Sequence, residues 1–402
     1  MTLFKKTMRI LSISSHNELK SLMQDINVDP YGVRIMLPKA QHYLLKINSL
    51  SSVSANILKQ EMLSLGGDVA LARQALTGKA KKTNCLVMGS LSQLDSLRLK
   101  LSRQPFGLGR LSHELLVTLN NYQKSTFQLE AGKHRISLGD RSCIMGIVNV
   151  TSDSFSGDGL LHLSLEGVVE YAMKLVKDGA DIIDVGGESS RPGSRGISLK
   201  EEVSRVIPVI KRLSKKVKVP ISIDTSKPEV AKMALDYGAS IVNDISGLRN
   251  PKMTRIIASF KAAVVIMHML KEPHSMQKNP VYNSLIDDIS GYLKSAVEKA
   301  EGSGINKDSI IIDPGICFGK TLAHNLEILK RLKEFKSLGK PILIGASRKS
   351  FIGKILNKGT DNRLFGSIAS CVCARRNSAN ILRVHDVKEA REALEITDNI
   401  QR

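Results

Sequence analysis

Short apolar runs alternate with amphipathic stretches along the chain from residue 142 onward. Eight of these runs have the length of a buried strand and are rich in Ile and Val: SCIMGIVNV (142–150), DIIDVG (181–186), PISIDT (220–225), SIVND (240–244), AAVVIMHM (262–269), SIIIDPG (309–315), PILIGAS (341–347) and ILRVHD (381–386). They do not alternate apolar with polar residues, which indicates strands that are covered on both faces. The stretches between them, such as SLEGVVEYAMKLVKDGA (164–180), carry apolar residues at helical spacing. Eight strand–helix repeats predict a closed (β/α)8 TIM barrel, with a doubly wound open sheet as the alternative.

The segment before the repeats has a different pattern. MRILSIS (8–14) and NCLVMGS (84–90) predict strands, and three stretches predict helices: NELKSLMQDI (17–26), SANILKQEMLSLGG (54–67) and QLDSLRLKLSRQ (93–104). We therefore expect a small α/β or α+β domain over residues 1–130, with no assigned role. The catalytic barrel is expected over residues 131–402.

Composition narrows the class of partner and the compartment. The 402 residues carry a net charge of +21, which favours anionic partners. Nucleic acid is not expected among them, because aromatic residues make up only 4% of the chain and no RNA-binding aromatic motif is present. Five cysteines at irregular spacing predict free thiols and a cytoplasmic location. The first twenty residues hold no apolar stretch that predicts a signal peptide or a membrane span.

Polar residues stand at the ends of the predicted strands, where TIM barrels place their active sites. They are Asn149, Asp184, Asp224, Asn243, His268, Asp313, the run Ser347–Arg348–Lys349, Arg383 and His385. Any one of them could simply cap the following helix. The set as a whole, after eight apolar runs, favours a binding site.

Two kinds of chemistry can be separated within this set. Asp224, Asn243, Asp313 and Lys349 combine carboxylate, amide and ammonium groups, which suit the hydrogen-bonding edge of a flat, nitrogen-rich heterocycle. A second group consists of Arg191, Arg383 and His385, which together suit a polyanion such as pyrophosphate. Asn149 could add a neutral oxygen ligand to a Mg²⁺ ion shared with that anion. The pattern therefore predicts a heterocycle that bears a diphosphate leaving group.

Seven motifs in this order resemble the dihydropteroate synthase family over roughly residues 140–400: IMGIVNVTSDSFS, IIDVGGESSRPGS, ISIDTSKPEVA, GASIVNDISG, IIIDPGICFGKTLAHNLEIL, ILIGASRKSFIG and LRVHDV. The resemblance implies a transferase of folate biosynthesis. Such an enzyme condenses 6-hydroxymethyl-7,8-dihydropterin diphosphate with 4-aminobenzoate to give 7,8-dihydropteroate and pyrophosphate.

The resemblance also assigns roles to individual residues. Asp224, Asn243, Asp313 and Lys349 would bind the pterin, and Arg191, Arg383 and His385 the diphosphate, together with Asn149 and Mg²⁺. Ser190, Phe318 and Ser350, beside Lys349, would border the 4-aminobenzoate pocket. Asp224, Lys349 and Arg383 would be catalytic, with Asp184 in a supporting role. A homodimer is implied as well.

The sequence departs from the usual pattern of the family at a few positions. The family usually has Pro at Ser152, Asp-Gly-Gly at Gly157–Asp158–Gly159, Thr at Ser190 and Gly at Cys317. The first two changes bear on loop closure, and Cys317 bears on the shape of the 4-aminobenzoate pocket and on sulfonamide sensitivity. Two alternatives remain: a pterin-binding barrel of the methyltransferase type, and a pterin-binding protein without catalytic activity.

Overall fold

The computed structural model describes residues 8–13, 16–151, 159–189, 196–272 and 275–401. The chain divides into two compact units, residues 1–119 and residues 120–402. The division falls within one helix and lies earlier than the expected boundary at residue 130. No helix among the described residues is both long enough and apolar enough to cross a bilayer.

The first unit contains a three-stranded antiparallel sheet with the strand order β1-β3-β2. Its strands are β1 (His42–Ser51), β2 (Asp68–Leu71) and β3 (Lys82–Ser90). Its helices are α1 (His16–Asp25), α2 (Pro30–Ala40), α3 (Ser52–Leu63), α4 (Arg73–Leu76), α5 (Leu91–Leu101) and α6 (Leu108–Gln123), the last of which continues into the second unit. The predicted α/β or α+β character is confirmed.

Two sequence expectations for this unit differ from the structure. Residues 8–13 form no strand, and Met8 and Ile10 are fully exposed, so their apolar side chains contact no sheet. Strand β1 was not predicted, although its half-buried residues alternate with exposed ones as in a strand that is covered on one face. The alternation is hard to recognise in the sequence, because an apolar residue, Leu44, stands at an exposed position of this strand.

The second unit is the predicted barrel, and all eight apolar runs form strands. These are β6 (Cys143–Asn149), β7 (Ile182–Gly186), β8 (Ile221–Asp224), β9 (Ile241–Asp244), β10 (Ala263–Met267), β11 (Ile310–Asp313), β12 (Leu343–Ile344) and β13 (Ile381–Val384). They run parallel in the order β11-β10-β9-β8-β7-β6-β13-β12. A parallel bridge between Ile312 and Ile342 joins the two outer strands and closes the barrel.

Helices follow the strands and cover the outside of the barrel. They are α7 (Leu165–Lys177), α8 (Leu199–Leu213), α9 (Pro228–Asp236), α10 (Pro251–Phe260), α11 (Leu285–Gly302), α12 (Leu322–Lys330), α13 (Ser350–Leu356), α14 (Leu364–Arg376) and α15 (Val387–Gln401). Local sequence fixes their ends: Ser164 and Ser198 accept hydrogen bonds at the N-termini of α7 and α8. Gly179 and Gly238 follow α7 and α9 in the left-handed conformation that ends a helix.

A hairpin closes the lower end of the barrel, where the strands begin. Its strands are β4 (Phe127–Ala131) and β5 (His134–Leu138). Leu129 and Leu138 of this hairpin pack against the inward-facing residues at the start of the strands, among them Met145 and Val265. The lower end is therefore apolar and dry, and the polar strand ends lie at the opposite end.

The last helix is fastened to the first barrel strand by a buried carboxylate. Asp398 of α15 accepts hydrogen bonds from the backbone N–H and the hydroxyl of Ser142, at 2.6 Å and 3.0 Å, and from Arg375 Nε at 2.6 Å. Because Asp398 is almost fully buried, water could not take the place of its carboxylate as the acceptor for these donors.

We predict that Asp398→Ala lowers the free energy of unfolding by about 3 kcal/mol, because it leaves the buried N–H of Ser142 without an acceptor and the largely buried Arg375 without its carboxylate. Urea unfolding followed by circular dichroism measures this. Asp236→Ala is the matched control: its partner Lys232 lies one helical turn away on the surface, so the loss should stay below about 1 kcal/mol. Equal losses in the two variants would contradict the fastening role.

Candidate active site

A charged cluster lies inside the upper end of the barrel. Arg383 of β13 donates from Nε to Asp184 Oδ2 at 2.6 Å and from a terminal nitrogen to Asp224 Oδ2 at 2.8 Å. Asn243 of β9 donates to the same oxygen of Asp184 at 3.2 Å. Side chains from four strands thus converge, as their positions at the strand ends predicted.

The electrostatics of the cluster are set by burial. Burial raises the pKa of Asp224 to about 7, with Arg383 opposing the rise and Asp184 adding to it. The second oxygen of Asp184, Oδ1, has no hydrogen-bond partner among the described residues. The site therefore holds two carboxylates and one guanidinium in a nearly enclosed space, with acceptor capacity to spare.

Asp313 forms a second acidic position at the end of β11. Its Oδ1 accepts a hydrogen bond from the backbone N–H of Gly315 at 2.7 Å. Burial raises the pKa of Asp313 to about 6, and both this hydrogen bond and the nearby Lys349 oppose the rise. Lys349 acts in the same way on Asp224, so its ammonium lies within electrostatic reach of both acids.

Lys349 also connects this region to Phe318. Its Nζ lies 4.5 Å from the centre of the Phe318 ring, in a cation–π contact. Ser350, which follows Lys349 at the start of α13, places its hydroxyl 3.6 Å from Cys317 Sγ. The residues expected to border the 4-aminobenzoate pocket are therefore neighbours, except Ser190, which lies outside the described residues.

Cys317 has a backbone conformation that explains why the family usually has glycine there. Its φ is +69°, in the left-handed region. The conformation is held by two hydrogen bonds: the N–H of Cys317 donates to Asn325 Oδ1 at 2.7 Å, and its carbonyl accepts from Gln277 at 2.5 Å. The thiol is nearly buried and faces the hydroxyl of Ser350.

The predicted anion-binding residues are only partly described. His385 follows β13, two residues beyond Arg383, and its Nδ1 lies 3.1 Å from the hydroxyl of Ser347. Arg191 lies outside the described residues, as do Ser152, Gly157 and Asp158. Arg383, which was expected at the diphosphate, contacts the two carboxylates instead, and its role on the anion stays a prediction.

A second ionic group was not singled out from the sequence. Lys227, just after β8, contacts Glu188, just after β7, and the fully buried Glu202 of α8 at 2.5 Å. Arg205 donates to the carbonyl of Gly187 at 2.8 Å, beside the same strand end. The sequence carries a signal for this pair: opposite charges stand two and three residues past the ends of two neighbouring parallel strands.

The oxygen donors of the site suit a magnesium ion that is shared with an anionic substrate. No group of three or more His, Cys, Asp or Glu side chains in the described part of the chain could hold a metal by itself. The amide oxygen of Asn149 and a carboxylate oxygen of Asp224 nevertheless lie beside the same residue, Gly186: a Cβ on it would be 3.7 Å and 3.8 Å from them. Mg²⁺ takes such oxygen ligands while it keeps water and phosphate ligands.

Comparison with known proteins agrees with this geometry. Residues 145–385 match the model of a family described as pterin binding enzyme. The dihydropteroate synthase of Escherichia coli (strain K12) is 45% identical over 255 residues, which are 63% of this chain and 90% of that protein.

Two further relatives extend the comparison. A probable bifunctional folylpolyglutamate synthase/dihydropteroate synthase of Halobacterium salinarum is 35% identical over 99% of this chain and 48% of its own length, so the match includes the first unit. The dihydropteroate synthase structure of Xanthomonas albilineans with 4-aminobenzoic acid superposes with a TM-score of 0.64 at 39% identity, covering 69% of this chain and 98% of that one. The chain belongs to the pterin-binding enzymes and, within them, to the dihydropteroate synthases.

Proposed function

We propose that this chain condenses 6-hydroxymethyl-7,8-dihydropterin diphosphate with 4-aminobenzoate and releases pyrophosphate, through the residues of the barrel's upper end. The observation that carries the proposal is the set of buried hydrogen-bonding groups at the strand ends, joined by Arg383. They offer acceptors and donors to a flat heterocycle in a nearly enclosed site. The alternatives of a methyltransferase-type barrel and of a binding protein without activity are outcomes of the test below.

The pterin is held by the acidic side of the site. Asp224 and Asp313 accept hydrogen bonds from the N–H and amino groups of the ring, and Asn243 can donate and accept. All three side chains are buried or nearly so, which strengthens each hydrogen bond relative to water. Lys349 supplies a donor on the same side.

The diphosphate is held by Arg383, His385 and Arg191. An arginine has five N–H donors, and Arg383 uses two of them on Asp184 and Asp224. The remaining donors can bind a phosphate oxygen. Asn149 is the residue that would hold Mg²⁺, which when bound would neutralise charge on the departing pyrophosphate.

The reaction needs no nucleophilic side chain. The C–O bond between the pterin methylene and the diphosphate breaks, and its electron pair leaves with pyrophosphate. Asp224 and Asp313 stabilise the positive charge that develops on the pterin. The amine of 4-aminobenzoate then forms the C–N bond and loses one proton. Phe318, Ser350 and Ser190 border its binding pocket.

Assembly and location complete the proposal. The family resemblance implies a homodimer, and the exposed apolar side chains of Phe365 on α14 and Ile396 on α15 are consistent with a contact through these helices. Sedimentation velocity should then show twice the mass of one chain. All five cysteines carry free thiols, which fits a cytoplasmic location.

We expect the purified chain to release pyrophosphate from the pterin diphosphate in Mg²⁺ only when 4-aminobenzoate is present, with dihydropteroate formed in equal amount. A coupled pyrophosphate assay and chromatography of the product measure this. Tight binding of the pterin diphosphate without turnover would indicate a binding protein. Binding of a methylated tetrahydrofolate in preference to the diphosphate would indicate the methyltransferase type.

We expect the affinity for 6-hydroxymethyl-7,8-dihydropterin to rise with pH, because the raised pKa values of Asp224, about 7, and Asp313, about 6, keep both acids partly protonated below neutrality. A protonated acid is a poorer acceptor, so the affinity should fall by up to about tenfold per pH unit below each pKa. Calorimetric titration between pH 5 and pH 8 tests this.

Asp224→Asn should weaken pterin binding at pH 8 by about tenfold to a hundredfold, since an acceptor is replaced by a donor that faces a donor. The variant should also lose the part of the pH dependence that is centred near 7. Asp236→Asn, a surface change on α9, is the control and should bind as the parent does. Unchanged affinity in Asp224→Asn would place the pterin elsewhere.

A further inference from the structure

Lys320 is a buried lysine for which the reaction has so far provided no role. It lies in the loop between β11 and α12 and is 3% exposed. No carboxylate in the described residues forms an ion pair with it, whereas the buried Lys340 at the other end of the barrel pairs with Glu301 at 2.6 Å. Burial lowers the pKa of Lys320 to about 7. A lysine is rarely buried without a partner, so its contacts need an explanation.

Three acceptors surround the ammonium of Lys320 and match its three protons. They are His268 Nδ1 at 3.0 Å, the carbonyl oxygen of Phe318 at 3.0 Å and the carbonyl oxygen of His268 at 3.4 Å. Burial, and then the charge of Lys320, lower the pKa of His268 to about 3. The imidazole is therefore neutral near pH 7, and its Nδ1 is free to accept from the ammonium.

These contacts join two segments of the upper end of the barrel. His268 follows β10, and Phe318 lies in the loop 315–319 that follows β11. The loop lies against the end of β10 without spare room: a Cβ on Gly315 would be 2.0 Å from the carbonyl oxygen of His268, and one on Gly319 would be 2.7 Å from Leu270. Lys320 donates to both segments, through the carbonyl oxygens of His268 and Phe318.

We propose that Lys320 is a positioning residue for the aryl-amine side of the active site. By fixing the backbone of Phe318 to the end of β10, it sets the place of the Phe318 ring, on which Lys349 Nζ rests at 4.5 Å. This inference depends on the proposed function, which assigns Phe318 and Lys349 to the 4-aminobenzoate pocket. None of the hydrogen bonds of Lys320 involves Asp224, Asn243 or Asp313, and on the pterin side its charge acts only at a distance, where it lowers the pKa of Asp313.

The test separates the two substrates. Lys320→Met keeps an unbranched side chain and removes the three hydrogen bonds. We expect KM for 4-aminobenzoate to rise about tenfold or more, as for the loss of hydrogen bonds to a charged group, with a smaller change in kcat. At pH 8, well above the pKa of Asp313 of about 6, the Kd of the pterin diphosphate should stay within about twofold of the parent value.

Control variants decide between positioning and general damage. Lys340→Met removes another buried lysine, from the opposite end of the barrel, and should leave KM for 4-aminobenzoate unchanged. His268→Gln keeps Lys320 but replaces the imidazole acceptor, and it should raise the same KM by a smaller factor without changing the Kd of the pterin diphosphate. This second variant decides the matter if Lys320→Met does not fold.

The outcomes can be told apart. An unchanged KM for 4-aminobenzoate in folded Lys320→Met would overturn the proposal, as would equal losses for both substrates. If the parent chain forms no product with 4-aminobenzoate, the proposed function itself fails. In that case the Kd of 4-aminobenzoate for the parent and for Lys320→Met, each loaded with pterin and pyrophosphate, still shows whether Lys320 positions the pocket.

Discussion

The upper end of the barrel depends on one buried guanidinium, that of Arg383, between two carboxylates. Asp184 and Asp224 stand on neighbouring strands, and without a cation between them they would repel each other in a space that water hardly enters. Arg383 reaches them from β13, on the far side of β6, and donates one hydrogen bond to each. The contact therefore spans three strand interfaces and needs no bridging water. Asn243 adds a hydrogen bond of its own to Asp184. The charge balance among these strand ends therefore rests on one side chain.

The hairpin at the lower end has the complementary effect. It covers the start of the strands with Leu129 and Leu138, which pack on inward-facing apolar residues such as Met145 and Val265. Polar groups can then concentrate at one end, where their electrostatic interactions are strong because the medium beneath them is dry. The perturbed pKa values of Asp224, Asp313 and Lys320 all have burial as their first cause.

The sequence predicted the barrel because its strands are buried on both faces and therefore stand out as uninterrupted apolar runs. It failed at MRILSIS, whose apolar residues find no sheet to pair with, and it missed β1 and the hairpin, where exposed and buried residues mix. The site was predictable as a list of strand ends. The contacts within the site could not be predicted. They depend on long side chains that cross between distant segments of the chain, as Arg383 does to reach its two carboxylates and Lys320 to reach His268.

The two hydrogen bonds that Arg383 donates to Asp184 and Asp224 have a consequence for inhibitors. A fragment that donates hydrogen bonds to Asp224 competes with an internal donor that is already in place, so it gains little from that contact alone. A fragment with an anionic group binds the remaining donors of the same guanidinium and thereby weakens the hydrogen bond from Arg383 to Asp224. Joining the two fragments in one molecule should give more binding free energy than their separate affinities suggest, because each relieves the competition that the other meets.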